Sequence, residues 1–292
     1  MTSARPALSV VIATRDRPEQ LGRCLATLGP LLGPADELVV VDSASKDDRT
    51  QEVAAQAGAV VIRAARPGTS RARNLGWREA RHELVAFTDD DVEVEPDWLD
   101  TMARALADDD AHWVTGWIGV RKPTGGAREL NPTMLETDPV RLDRDYRGPM
   151  GASANFGARR SALAAVGGFD ERFGPGCWTA AAEDVELFDR LILAGLPGRY
   201  EPTVRVFHEQ WRTRRDALTL HWRYGKGMGG RLARLSRRDP GRAAHIGYDV
   251  IWSQGIHAAG RCLRVRYEFG AALAALRVTG TFVGFLAWLL RP

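Results

Sequence analysis

The sequence predicts an α/β fold, a mostly parallel central sheet flanked by helices, with a helical C-terminal extension. Three observations predict it. Short apolar runs alternate with amphipathic stretches over the first hundred residues, the pattern of buried strands joined by crossover helices. Polar clusters follow several of those runs, at the strand ends where open α/β sheets bind ligands. Beyond about residue 210 the strand signal stops and the pattern is helical.

The elements follow in order. Leu8–Ala13 is a short apolar run and reads as a buried strand. Arg17–Leu32 places Leu21, Cys24, Leu25, Leu28 and Leu32 at helical spacing, with Pro18 in the first turn. Leu38–Val41 is a second strand, ended by Asp42-Ser43, and Asp48–Ala57 a helix closed by Gly58. Val60–Ile62 is a third strand, and Thr69 or Ser70 is a candidate cap for a helix to about Arg81. Leu84–Phe87 is a fourth strand running into Thr88-Asp89-Asp90-Asp91, and Pro96–Leu106 a helix with proline in its first turn. Residues 121–150 are polar and rich in Pro and Gly, and read as a long functional loop. Gly151–Phe156 reads as a strand, Ser161–Val166 as a short helix closed by Gly167-Gly168, Val185–Ala194 as a helix and Tyr200–His208 as the last strand.

The chain has 292 residues, 45% apolar and 26% charged, which fits one large domain or one domain with an appendage and argues against disorder, collagen or a coiled coil. The expected division is a domain over 1–210 and a basic, partly apolar extension over 211–292. Cys24, Cys177 and Cys262 lie far apart without CxxC spacing, which disfavours a disulfide framework and a cysteine zinc site and favours a reducing compartment. Met1–Pro6 has no apolar leader-like run. Phe269–Leu290 is the one membrane candidate, interrupted by Arg277 and diluted by Gly270 and Gly280. The net charge of +3 hides an asymmetry: residues 1–202 carry a net −8 and residues 203–292 a net +11. The acidic part suits a metal, and the basic part suits phosphates or an anionic membrane.

The residues that carry chemistry are few. Three adjacent carboxylates, Asp89-Asp90-Asp91, repel one another unless a cation or solvent compensates, and Mg2+ or Mn2+ favours a few carboxylates with phosphate oxygens. A solvated acidic turn is the plain alternative, and Asp108-Asp109-Asp110, which follows a helix, reads that way. Glu183-Asp184 opens a helix, where acids suit the dipole, and also suits a general base at a pocket mouth. His208 becomes a ligand candidate if the fold brings it to Asp91. Arg15, Arg17, Arg71 and Arg73 flank strand ends and a helix start, which suits diphosphate recognition, although surface arginines are plentiful in this chain. Gly225–Gly230 has no preceding strand, so a dinucleotide-binding reading fails; a flexible loop bringing Lys226 to a phosphate stays open.

Taken together, these segments resemble the family 2 glycosyltransferases, inverting enzymes of GT-A fold. The matches run in order: LSVVIATRDR at 8–17, ELVVVDSAS at 37–45, GTSRARNLG at 68–76, FTDDDV at 87–92, GASANFGARRSALAAVGGFDERF at 151–173, and EDVEL at 183–187 with Arg190. His208 stands where many members have a metal-binding histidine. The resemblance covers about residues 8–210. It implies transfer of a sugar from a nucleotide sugar, most often a UDP-sugar, to an acceptor hydroxyl. It implies Mg2+ or Mn2+ held by Asp89, Asp91 and His208, and Asp184 as general base. Donor contacts are expected from Thr14, Arg15, Arg17, Asp42, Arg71, Arg73, Asn74, Asp89 and Asp90, and acceptor-side contacts from Asn155, Trp178 and Glu183. The acceptor class stays open among glycans, lipid-linked molecules and small molecules.

Two rival readings remain, a nucleotidyltransferase and a catalytically silent nucleotide-sugar binder. The ordered motifs argue against the first, and the presence of Asp89, Asp91, Asp184 and His208 against the second. Arg212–Arg238 carries nine Lys/Arg against Asp216 alone, so residues 211–292 are candidates for an anionic membrane surface, while no recognition motif accompanies the charge to indicate nucleic acid. The expected location is cytoplasmic, peripheral on the inner face of the cell membrane, and the apolar end is also a candidate homodimer contact.

Overall fold

The computed structural model describes residues 5–108, 110–121, 134–209 and 212–290. The parallel half of the sheet is built from β1 (Ser9–Thr14), β2 (Glu37–Asp42), β3 (Val60–Arg63) and β4 (Leu84–Asp89). The connecting helices are α1 (Pro18–Leu28), α2 (Arg49–Gln56) and α3 (Thr69–Glu79). These strands pair in parallel in the order β3-β2-β1-β4, so their carboxyl ends share one edge. Their inward residues are fully buried, from Val10–Ile12 through Val39–Val41 to Val85–Phe87.

Beyond β4 the sheet becomes mixed. Its later elements are β5 (Val92–Val94), α4 (Trp98–Ala107), β6 (Trp113–Val120), β7 (Val140–Leu142), β8 (Asn155–Arg159), α5 (Arg160–Val166), α6 (Glu183–Leu193) and β9 (Gly198–His208). The path continues β4-β8-β6-β9-β5, with β7 pairing β9. β8 runs antiparallel to both β4 and β6, β6 runs parallel to β9, and β5 and β7 are antiparallel to β9. Stacked Phe87–Phe156 and Trp113–Phe188 rings fill the core beneath this half.

Several local expectations are corrected. The helix expected to Leu32 ends at Leu28 and passes into a 3-10 turn, Gly29–Leu31. Neither Thr69 nor Ser70 caps α3: its N-cap is Gly68, at φ 149°, and the Ser70 hydroxyl instead donates to the Phe173 carbonyl. Pro96 precedes α4 rather than opening it. The strand expected at Gly151–Phe156 starts at Asn155. The expected loop over 121–150 contains β7, and its residues 122–133 lie outside the described residues. The sequence reading did not anticipate β6. Its glycines mimic a strand breaker, yet Gly116 is there because a Cβ would meet the Val204 carbonyl oxygen at 2.2 Å.

The C-terminal part is helical: α7 (Arg214–Leu235), α8 (Pro240–Tyr248), a π-helical segment (Asp249–His257), α9 (Ala258–Arg264) and α10 (Glu268–Leu290). Thr213 and Asp216 form a capping box at the start of α7. The Gly225–Gly230 stretch is not a loop. It lies inside α7, and the Lys226 ammonium donates to the Trp178 carbonyl at 2.7 Å. A Cβ on Gly229 would meet the Thr281 carbonyl oxygen at 2.1 Å, and one on Gly284 the Lys226 carbonyl oxygen at 2.1 Å, so α7 and α10 touch backbone to backbone. Ion pairs tie this part to the sheet domain. Arg231 and Arg242 both reach Asp189 on α6, at 2.6 and 3.1 Å. Trp288 of α10 packs on Phe173 and Trp178, with ring centroids 4.8 and 5.9 Å apart.

Candidate active site

Several segments meet in a cleft at the carboxyl edge of the sheet. The β1 end supplies Thr14, Arg15 and Arg17, the β4 end supplies Asp89, Asp90 and Asp91, and the start of α6 supplies Glu183. The acidic triplet divides its work. Asp90 turns back into the protein, where Thr14 Oγ1 donates to it at 2.8 Å and Arg17 at 2.9 Å. Burial pushes its carboxyl up to about 6 against the opposing pull of Arg17. Asp89 and Asp91 are left facing His208.

Strand pairing brings His208 there. β5 and β9 align Val92 with His208, one residue beyond Asp91. His208 Nδ1 lies 3.5 Å from Asp91 Oδ1, buried and without a hydrogen-bond partner. Burial disfavours the imidazolium, but the Asp91 carboxylate outweighs it and raises the His208 pKa. One ligand atom from each of Asp89, Asp91 and His208 falls within 4.8 Å of the others. Two carboxylate oxygens and one imidazole, whose buried Nδ1 has no hydrogen-bond partner, suit a divalent cation such as Mn2+ or Mg2+. The residues therefore fit the metal that the sequence implies.

Arg73, reaching in from α3, links the two acidic ends of the cleft. It donates to Asp89 Oδ1 at 2.7 Å and to Glu183 Oε1 at 3.1 Å. Glu183 is pushed up to about 7, chiefly by burial and next by the adjacent Asp184 charge, with Arg73 opposing both. The approach to α6 is conformationally demanding. Ala180 and Ala182 have φ of 62° and 70°, a left-handed conformation that a small side chain tolerates better than a branched one. Asp184 then sits in the first helical turn, where its carboxylate accepts from the Val185 amide at 2.7 Å and the Ser153 amide at 3.3 Å.

Of the residues expected from the sequence, Thr14, Arg15, Arg17, Arg73, Asp89, Asp90, Asp91, Glu183 and His208 line this cleft. Asp42, Arg71, Asn74, Asn155, Trp178 and Asp184 are not among its lining residues. Asp42 is buried beneath it, accepting from the Ser45 amide and Gln51. Asn74 clamps Phe169 through both its main-chain N–H and carbonyl. Asn155 is fully buried, accepting from Trp98 Nε1 and donating to the Trp117 and Val204 carbonyls. Arg71 pairs with Glu171 at 2.8 Å, and Trp178 packs on Trp288. The sequence reading missed Ser43, Gly68, Pro175, Gly176 and Arg212 as parts of the cleft wall. Gly176 was legible only in hindsight: at φ 97°, with a would-be Cβ 2.8 Å from Gly68 Cα, it permits the close approach of two loops. Arg212, lining the cleft and 3.9 Å from Asp91, belongs to the basic stretch that the sequence reading assigns to an anionic membrane surface.

An α/β sheet with an acidic, histidine-bearing cleft at its carboxyl edge is the arrangement of a GT-A glycosyltransferase, and the family comparison assigns the class. The glycosyl transferase family 2 profile matches residues 9–167, and the chain belongs to that family. Among curated proteins it is 29% identical over 247 residues to the pre-mycofactocin glycosyltransferase of Mycobacterium tuberculosis, covering 82% of this chain and 49% of the relative. It is 32% identical over 136 residues to the glucosyl-3-phosphoglycerate synthase of Mycolicibacterium smegmatis, covering 42% of this chain and 44% of the relative. The chain thus spans about half the length of these relatives. Among solved structures, the mannosyltransferase PcManGT from Pyrobaculum calidifontis, in complex with GDP-Man and Mn2+, superposes with a TM-score of 0.70 at 17% identity, over 97% of this chain and 88% of that one. S. aureus TarS 1-349 gives a TM-score of 0.59 at 14% identity, over 98% and 92%. At these identities the likeness is one of fold.

Proposed function

We propose that this chain moves a sugar from a nucleoside-diphosphate sugar to an acceptor hydroxyl with inversion at the anomeric carbon. The observation that carries the reading is the grouping of Asp89, Asp91 and His208 beside an arginine-lined cleft. These three residues would hold a divalent cation, which supplies Lewis-acid stabilisation of a departing diphosphate. Arg15, Arg17 and Arg212 add positive charge around the same cleft, where anionic charge develops as the bond to the sugar breaks. Asp42, Arg71 and Asn74 act in donor binding mainly by shaping the loops behind it. Asp184 is the general base: it takes the proton of the acceptor hydroxyl as that oxygen attacks opposite the leaving group. Arg73 holds neighbouring Glu183 in place, and Trp178 and Asn155 support the acceptor side from behind.

A UDP-sugar is the expected donor, and a GDP-sugar is the nearest competitor. Complexes of the structural neighbours contain UDP-GlcNAc in TarS 1-349 and GDP-Man with Mn2+ in PcManGT. The test is a panel of nucleotide sugars scored for thermal stabilisation with Mn2+, followed by product analysis. One UDP-sugar should stabilise the protein only with metal and release nucleoside diphosphate. Release of pyrophosphate, or binding of a nucleotide sugar without even slow hydrolysis, would overturn the reading.

A further inference from the structure

The sheet domain hides its apolar residues, while the C-terminal helices expose theirs. Among the described residues, Trp252 and Ile256 on the π-helical segment are 49% and 54% exposed. Val265 after α9 is 74% exposed, and Phe282, Leu286 and Leu290 on α10 are 53%, 60% and 82% exposed. Among the described residues outside the stretch 248–290, the large exposed apolar side chains are the scattered Val60, Leu135 and Leu218. Single exposed apolar residues need no explanation, but a concentration of them on neighbouring helices marks an interaction surface.

Charge says what covers it. Arg261, Arg264 and Arg266 are exposed on and just after α9, interleaved with the exposed Leu263, Val265 and Tyr267. The only acids between residues 240 and 292 are Asp249 and Glu268. Apolar side chains flanked by arginines and almost free of carboxylates complement an anionic lipid surface, with rings and aliphatic chains entering the headgroup boundary and guanidinium groups meeting phosphates.

Packing says how it lies. α10 has the length and hydropathy to cross a membrane. Its glycine face, however, is locked on α7: a Cβ on Gly280 would meet the Trp222 carbonyl oxygen at 2.7 Å, and one on Gly225 the Arg277 carbonyl oxygen at 2.2 Å. α7 exposes Arg214, Arg215 and Arg223 and is ion-paired to α6 through Arg231. Spanning would drag those arginines into hydrocarbon or tear the two helices apart. A helix covered on one side and apolar on the other rests along the interface instead.

We infer that the exposed face running from the π-helical segment through α10 is a docking surface for an anionic bilayer, with α10 lying in the interfacial plane. This inference is independent of which sugar or acceptor the cleft takes. The test is flotation of the full chain with vesicles of phosphatidylglycerol and phosphatidylcholine, or of phosphatidylcholine alone. The protein should float with the anionic vesicles in low salt, and weaken by about fivefold for each of Arg261, Arg264 and Arg266 changed to Gln. The Phe282→Glu/Leu286→Glu variant should lose binding while keeping its circular dichroism spectrum and its stabilisation by nucleotide and Mn2+. Equal binding to neutral vesicles would overturn the role of charge. Absence of vesicle binding overturns the proposal; if light scattering then shows a dimer that Phe282→Glu/Leu286→Glu dissociates, the face belongs to a second copy.

Discussion

Arg73 and Glu183 stand 110 positions apart in the chain yet meet at 3.1 Å, and the same guanidinium also reaches Asp89 at 2.7 Å. One buried cation therefore fastens the start of α6 to the Asp89 end of β4. Removing one partner of a buried pair leaves the other charge uncompensated, which typically costs about 3–5 kcal/mol. Arg73→Ala should lower unfolding free energy by that order in urea titrations, and should weaken nucleotide binding as well. A loss below 1 kcal/mol would mean that the contact contributes no more than an exposed pair.

Glu183 also predicts a pH dependence. Burial raises its folded pKa from an ordinary 4.5 to about 7, so the folded state keeps the proton longer than the unfolded chain. The associated stability is complete below 4.5 and is lost as pH rises through about 7. With metal removed by chelator, Glu183→Gln should therefore gain stability relative to the parent chain across that window. Parallel stability–pH curves for the two proteins would refute it.

His208→Ala tests the metal centre. Mutating even a residue that supports a metal ligand weakens affinity by about 10–100-fold, so loss of a ligand should do at least as much. Mn2+-dependent thermal stabilisation in the presence of nucleotide should shrink accordingly, and chelation should abolish turnover in the parent chain. Unchanged Mn2+ titration of His208→Ala would remove the histidine from the ligand set.

Asp184→Asn separates chemistry from binding. A positioned base contributes about 10²–10⁴-fold, so kcat should fall within or beyond that range while nucleotide affinity stays near the parent value. Near-normal turnover would exclude Asp184 as the base.

The helix pair offers a fifth test, on Gly229. By helix propensity alone, Gly229→Ala should stabilise α7 by about 1 kcal/mol. The new Cβ would instead meet the Thr281 carbonyl oxygen at 2.1 Å, within backbone that has no rotamer to yield. The expected result is destabilisation of about 1–3 kcal/mol, read by thermal melting.

The parallel half of the fold was legible because its information is local. β1 to β4 fall within two residues of their expected ends, since each strand is a continuous apolar run. The mixed half depends on distant pairings: β6 finds β9 some eighty residues later, and nothing within Trp-Val-Thr-Gly-Trp-Ile-Gly-Val announces that partner. The site divides the same way. Asp89 and Asp91 stand out at a strand end, and His208 joins them through the β5–β9 register. Asn155 and Asn74 have side chains engaged inside the protein, a role that a polar residue in sequence does not distinguish from ligand binding. Arg212 was hidden by abundance, as one of many arginines in a basic stretch.

Trp288 carries a consequence in time. Its ring braces Phe173 and Trp178, in the segment that leads to Glu183 and Asp184. β1 to β4 are complete in the chain well before α10 is translated. The bracing of Phe173 and Trp178 in turn requires residue 288. The carboxyl edge of β1 to β4 is thus complete in the chain long before its opposite wall, and a chain stalled short of α10 would lack the ring that braces Phe173 and Trp178.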